Sequence, residues 1–180
     1  MLGLKNMSSI SNFETSSDNS YHDLNCEWTY WAHLPHDTDW SLKSYKKISD
    51  VKSVEKMITL SNTIPDIMTV NCMLFIMRKN INPTWEDKHN KNGGCFSYKI
   101  SNKLVPELWK KVSYALVGET LSTDKTFLNN INGITISPKK NFCILKIWLS
   151  NCNHQDPTLI TNIKGLENRG CLFKRHITKH

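Results

Sequence analysis

An α+β fold, an antiparallel sheet with helices packed on one face, follows from three features of this sequence. Strand and helix patterns do not alternate one for one. The links between strands are hairpin-like. One long stretch, Val105 to Leu116, carries a clean helical stripe. No internal repeat is visible, and 180 residues suffice for one domain with a real core.

Each element has its own warrant. Residues 1–20 are rich in Ser and Asn and hold few core formers, so they predict a flexible tail, with the folded domain over 21–180. From Cys26 to Leu34 the chain alternates, with Trp28, Tyr30 and Ala32 on one face and Glu27, Thr29, Trp31 and His33 on the other: a strand. Pro35 to Trp40 reads as a polar loop and Tyr45 to Ile48 as a short strand. Val54, Met57, Ile58 and Asn62 follow helical spacing, with Asp50 or Ser53 as cap. The apolar run Met68 to Met77 predicts a central strand, paired with Cys95 to Ile100 as a hairpin across the Trp85–Gly94 loop. Val105, Leu108, Trp109, Val112 and Leu116 make the helical stripe, with Pro106 in the first turn and Gly118 just past the end. Ile131 to Ser137 and Phe142 to Leu149 flank a Pro138-Lys139-Lys140-Asn141 turn, a second hairpin. Asp156-Pro157 predicts a third helix to about Asn168, and Cys171 to Ile177 a last strand.

Composition narrows the classes. A net charge of +7 suits either a polyanionic partner or a surface decorated with Lys. The six cysteines form no C-x-x-C pair, and Cys72 and Cys143 sit in apolar runs, which argues for free thiols in a reducing compartment. No apolar run approaches membrane-spanning length and no secretory core is present, so a cytoplasmic protein is expected, with nuclear entry open. The histidines are not paired with Cys, Asp or Glu at metal-ligand spacing; no metal and no cofactor is expected.

The chemistry concentrates in Pro83-Thr84-Trp85-Glu86-Asp87-Lys88, followed by Asn90-Lys91-Asn92-Gly93-Gly94. An indole beside a carboxylate on a loop suits a flat cationic heterocycle with N–H donors on one edge. The cation gains from the electron-rich ring face, and the carboxylate accepts two charge-assisted bonds. A guanine alkylated at N7 is such a ligand. Trp28, Trp31, Trp109 and Trp148 lie in periodic elements, where core packing is the default; Trp40, in His36-Asp37-Thr38-Asp39-Trp40-Ser41, and Trp85 do not. Two loop indoles either fold back onto the sheet or grip a base between them. Glu86 is either a solvated acid or the base acceptor, and Lys139 and Lys140 either hold a turn in solvent or attract phosphates. No nucleophile–base pair is present, so an enzyme is not expected.

Taken together, the spacings resemble eukaryotic translation initiation factor 4E, the messenger-RNA cap-binding family, from about Tyr21 to Ile177. The pieces are Ile81-x-Pro-x-Trp85-Glu86-Asp87, Asn90-Lys91-x-Gly93-Gly94, Trp28-x-x-Trp31, Trp40, Val54-Glu55, Trp109 before Val117-Gly118-Glu119, and Gly133 before Trp148. The resemblance implies a curved eight-stranded antiparallel sheet with three helices on the convex face. It implies that the 7-methylguanosine base stacks between Trp40 and Trp85, that Glu86 accepts the base N–H groups, and that Trp148 lies against the N7-methyl group. Basic residues on the second hairpin, Lys139 and Lys140, would hold the triphosphate.

The departures from the family pattern matter. Lys139 stands for an arginine, Asn141 and Ile144 for two lysines, and Cys95 for the arginine after the double glycine. Set against the family pattern, no C-terminal loop over the phosphates is expected after the last strand. Lys140, Lys88, Lys91, Lys174 and Arg175 are candidate substitutes. On the dorsal face Val54 is kept, Ile58 replaces the tryptophan that anchors a partner's Tyr-x4-Leu helix, and the supporting His-Pro-Leu reads His22-Asp23-Leu24. The Asn, Ile and Lys-rich composition suits an AT-rich lineage or a virus-encoded homologue. The implied function is cap binding in translation initiation by a monomer that recruits a scaffold of the initiation factor 4G type or a dedicated substitute. The alternatives are a cap-binding repressor or decoy that does not recruit the usual scaffold, and a nucleotide-processing protein with Glu86 as base.

Overall fold

The structure is a computed structural model and describes residues 21–176; the tail expected over 1–20 lies outside the described residues. Seven strands form one curved antiparallel sheet in the order β2-β1-β3-β5-β6-β4-β7. They are β1 (Asp23–His33), β2 (Tyr45–Ser53), β3 (Met73–Arg78), β4 (Gly94–Ser101), β5 (Ile131–Pro138), β6 (Phe142–Leu149) and β7 (Leu172–Arg175). The helices are α1 (Val54–Thr63), α2 (Asp66–Asn71), α3 (Val105–Val117) and α4 (Lys125–Asn130).

The two-residue period of the strands sorts side chains onto two faces. Trp28, Tyr30, Leu74, Ile76, Phe96, Tyr98, Ile134, Ile136, Leu145 and Ile147 point to one face and are sealed by the helices. There α3 buries Val105, Leu108, Trp109, Val112 and Leu116, the predicted stripe. The Trp109 indole N–H donates to the Tyr30 hydroxyl at 2.7 Å, which satisfies two polar groups inside the core. Burial pushes the Tyr30 phenol above its ordinary value. The other face carries a smaller cluster, Phe75, Met77, Ile81 and Trp148, with Trp31, Tyr45 and Met73 beside it. No helix covers that face among the described residues, and the candidate site lies there.

Several elements follow the sequence reading closely. Ser53 caps α1, accepting from the Lys56 N–H at 3.2 Å, and β5 and β6 form the expected hairpin. Others differ, for physical reasons. The run Met68–Met77 is half helix: Pro65 and Asp66 open α2, the Thr69 hydroxyl donates to the Asp66 carbonyl at 2.7 Å, and the strand begins only at Met73. β3 and β4 do not pair. β3 lies between β1 and β5, and β4 between β6 and β7, because the connection over residues 79–93 is long enough to cross the sheet.

The helix expected from Asp156 is a single 3-10 turn, Pro157–Leu159. Asp156 does cap it, accepting from the Thr158 N–H at 2.9 Å. Beyond it the Thr161 N–H bonds the Leu121 carbonyl, and Gly165 takes φ +96°. β-branched Ile160, Thr161 and Ile163 give little helix propensity to resist that pull. This segment packs Ile160 and Leu166 into the core; among the described residues the sheet has seven strands, where the resemblance implies eight. α4 was not anticipated; Asp124 caps it, accepting from the Thr126 and Phe127 N–H groups.

Candidate functional site

A cleft of about 390 Å³ opens on the uncovered face. Its floor is Met73 and Phe75 of β3, Thr135 and Ser137 of β5, and Lys146 and Trp148 of β6; Tyr45 begins β2 at its side. Two loops supply the walls: Trp40 from the β1–β2 connection, and Pro83, Thr84, Trp85 and Glu86 from the β3–β4 connection. Lys139 of the β5–β6 turn closes it. Residues separated by most of the chain therefore meet in one cavity. The two loop indoles are the exposed ones, Trp40 at 59% and Trp85 at 43%, whereas Trp148 is buried in the floor.

The Trp85 loop is held from beneath. Asp87 accepts from the Asn82 N–H at 3.0 Å and the His89 N–H at 2.8 Å. These bonds outweigh the burial that opposes them and hold its carboxyl below the ordinary carboxylate range. Asn90, wholly buried, donates its amide to the Asn82 and Thr84 carbonyls and accepts from the Asn132 amide at 2.9 Å. The two glycines end the loop through close approach. A side chain on Gly93 would strike the Leu149 carbonyl, and one on Gly94 would meet Phe173 at 2.6 Å and the Lys174 carbonyl at 2.7 Å.

Trp40 is backed by a histidine. The His33 ring lies 4.3 Å from the indole and 4° from parallel, and its Nε2 bonds the Asp39 carbonyl at 2.9 Å. Asp39 in turn accepts from the Ser41 N–H and hydroxyl. Trp85 has a similar neighbour: the His176 ring is 5.9 Å away and 8° from parallel, with Nδ1 on the Asn90 carbonyl at 2.8 Å. His176 also meets Trp148, at 4.8 Å. Its Nε2 is buried without a partner among the described residues. Burial, with the Lys146 charge, pushes its pKa down despite the Asn90 bond, which favours the neutral ring.

Charge is divided across the cavity. Glu86 lies at the wall, where its carboxylate adds to burial in pushing the Tyr45 phenol up. Lys146 rises from the floor with its ammonium 5.3 Å from the Trp85 ring centre. Burial pushes its pKa down, opposed by Cys95, and the charges of Lys139 and Lys174 act with burial. Trp85, Ser137, Lys139 and Lys146 are shared with a second cleft of about 590 Å³, whose lining adds Lys99, Lys174 and Arg175. Lys140, on the same turn as Lys139, is exposed and lines neither cleft, and neither do Lys88 and Lys91. The predicted pair of turn lysines therefore splits. Lys139 lines both clefts, and the inner cation is Lys146.

The dorsal candidates lie on α1. Val54 and Ile58, one turn apart, are 40% and 44% exposed. His22 is bound to that helix: its N–H donates to Glu55 Oε2 at 3.0 Å, its Nδ1 meets Oε1 at 2.6 Å, and the Val54 N–H donates to its carbonyl. The His22 bond, with further backbone bonds, holds the Glu55 carboxyl at about 2.

His33, His176 and Lys146 are the residues that sequence reasoning missed. Only Lys146 left a signal. With Trp148 and Ile144 it occupies one parity of β6, and a lysine amid that apolar strand is out of place.

The family model described as eukaryotic initiation factor 4E matches residues 23–172. Factor 4E-2 of Schizosaccharomyces pombe is 31% identical over 145 residues, covering 75% of this chain and 56% of its own length. A mimivirus factor 4E homolog, from Acanthamoeba polyphaga mimivirus, is 44% identical over 62 residues, 34% of this chain and 23% of that protein. Among solved structures, Caenorhabditis elegans eIF4E-3 in complex with the 4E-binding protein Mextli and a cap analog superposes with a TM-score of 0.69 at 22% identity, covering 78% of this chain and 80% of that one. The chain thus spans little more than half of the fission-yeast relative, yet the family model runs through both loops and every strand that builds the cleft, and the chain belongs to the eukaryotic initiation factor 4E family.

Proposed function

We propose that residues 21–180 form a cap-binding domain that holds the 7-methylguanosine 5′ cap of messenger RNA in the first cleft. The observation that carries this reading is the meeting of Trp40, Trp85, Glu86, Trp148 and Lys139 in one cavity. Trp40 and Trp85 stack on the methylated base, whose positive charge gains from the indole faces. Glu86 accepts the two N–H groups of the guanine edge, which among the bases only guanine offers together. Trp148 lies under the N7-methyl group, and Lys139 and Lys146 take the phosphates. Lys140 stands apart from both clefts and has no part in this reading. Support also comes from the relatives, one of them solved with a cap analog. The chain acts in the cytoplasm as a monomeric binding factor, not an enzyme.

Retention on 7-methylguanosine-triphosphate resin, with release by the free methylated nucleotide and not by GTP, tests this reading. Equal release by GTP, or no retention, overturns it.

A second reading concerns outcome, not ligand. Ile58 offers a smaller apolar contact than an indole, so the α1 face suits a dedicated scaffold better than the usual initiation factor 4G type. If no scaffold is recruited, the protein is a cap-binding repressor or decoy. Co-purification of a scaffold on the cap resin separates the two.

A further inference from the structure

The second cleft is larger than the first and more basic. Lys99, Lys139, Lys146, Lys174 and Arg175 line it, and no carboxylate does. Sheet register explains how they gather. Cys95 pairs with Lys174, Gly94 with Arg175, Ser97 with Lys146 and Lys99 with Ile144, so three adjacent strands deliver cations to one surface. Lys99, Lys174 and Arg175 are exposed, and none of the five ion-pairs with an acid among the described residues. Packing does not require these charges, and gathering them costs self-repulsion that a bound polyanion relieves.

Two further features say which polyanion. Phe142 stands in the lining with the Lys99 ammonium 4.5 Å from its ring centre, and exposed Leu172 adds an apolar wall. A basic groove with an aromatic plate is the pattern that holds single-stranded nucleic acid without reading its sequence. The shared residues Trp85, Ser137, Lys139 and Lys146 also make the groove continuous with the first cleft. A chain leaving the first cleft over Lys139 and Lys146 enters this one directly.

We propose that the second cleft is a track for the single-stranded RNA that follows the cap, its phosphates on Lys99, Lys174 and Arg175 and one base on Phe142. This rests on the cap-binding reading. The test compares 7-methylguanosine triphosphate, a capped ten-nucleotide RNA and the same RNA uncapped with a 5′-triphosphate, by fluorescence titration at several salt concentrations. The wild-type protein binds the capped RNA about tenfold tighter than the nucleotide at low salt, and its log–log salt slope is steeper by about 2, as three single-strand phosphate contacts require. The combined variant Lys99→Gln, Lys174→Gln, Arg175→Gln loses that difference, and Lys99→Gln alone, at a residue that lines only the second cleft, reduces it while keeping the nucleotide affinity. Phe142→Leu lowers capped-RNA affinity about fivefold, since it keeps bulk and removes the ring.

Equal affinity and slope for nucleotide and capped RNA overturns the track. So does a difference that persists in the triple variant, or a loss of nucleotide affinity in Lys99→Gln. A polyglutamate of equal charge that competes as well as the RNA shows an unselective anion surface and overturns it too. If capped and uncapped RNA bind alike while the nucleotide does not bind, the cap reading fails, and with it the track as a path for RNA that follows the cap, leaving a groove that binds single strands.

Discussion

At Glu86 the charge matters as much as the shape. Glu86→Gln keeps the side chain's size but turns half of its acceptor edge into a donor that faces the base N–H groups. On the proposed reading, capped guanosine binds this variant at least tenfold more weakly, because charge-assisted bonds are about twice as strong as neutral ones. The indoles answer separately. Stacking is worth ~1–3 kcal/mol per base by alanine substitution, so Trp40→Ala and Trp85→Ala each weaken binding roughly tenfold to a hundredfold. Tryptophan-fluorescence titration measures all three, and wild-type affinity in both indole variants would remove them from the site. Lys146 gives a result with two signs. Its half-buried ammonium already leans on Trp85, where on the proposed reading a methylated base would add a second positive charge. Lys146→Met should leave methylated nucleoside binding undiminished and cut triphosphate binding about tenfold. Equal losses for nucleoside and triphosphate would show that Lys146 serves packing and not phosphate. None of this depends on the turn lysine Lys140, which lines neither cleft.

At the scale of elements, the Trp85 loop is where stability and site are linked. Asn90→Ala removes two donated bonds and leaves the Asn132 amide short of an acceptor, at a cost of ~2–3 kcal/mol in a buried setting. Chemical denaturation would show the loss. Asp87 predicts a pH dependence. Its carboxyl is depressed in the fold, so its stabilisation is complete above the usual carboxylate range and is lost as pH falls through the folded value. Acid titration should therefore shift Trp85 emission before global unfolding, and Asp87→Asn should flatten that shift. The motif around Asp87 was legible because each of its residues has a fixed duty in a short span. The same holds for α3, whose stripe and end residues agree. Pairing was less legible. The adjacent apolar runs at β3 and β4 read as neighbours, yet residues 79–93 carry the chain across the sheet to β6 and β7. Nor does a local pattern show that Thr161 bonds Leu121 and so keeps the Asp156 turn from growing into a helix. His176 was invisible for the same reason, since it acts on an indole brought in by another segment, while His33 read only as one position of an alternating strand.

Across the whole molecule the sheet separates two surfaces. The cleft opens on the uncovered face, while α1 presents Val54 and Ile58 to solvent on the helical side. The core between them is closely packed, with Trp28, Leu74, Ile76 and Ile147 at no measurable exposure. A change of one apolar side chain on the outer edge of α1 therefore has no direct path to the cleft. Ile58→Trp adds an indole to a face that already carries Val54, so a generic Tyr-x4-Leu peptide gains buried area and an N–H donor. Calorimetry should show wild type binding that peptide weakly and the variant at least tenfold more tightly, about 1.4 kcal/mol, the scale of a modest hot spot. Affinity for the methylated nucleotide should be the same in both proteins, with or without peptide. Tight wild-type binding with no gain in the variant would show that Ile58 does not set partner choice. A change in nucleotide affinity would show that the two faces are coupled through the sheet, and that the helical side reports on cap occupancy.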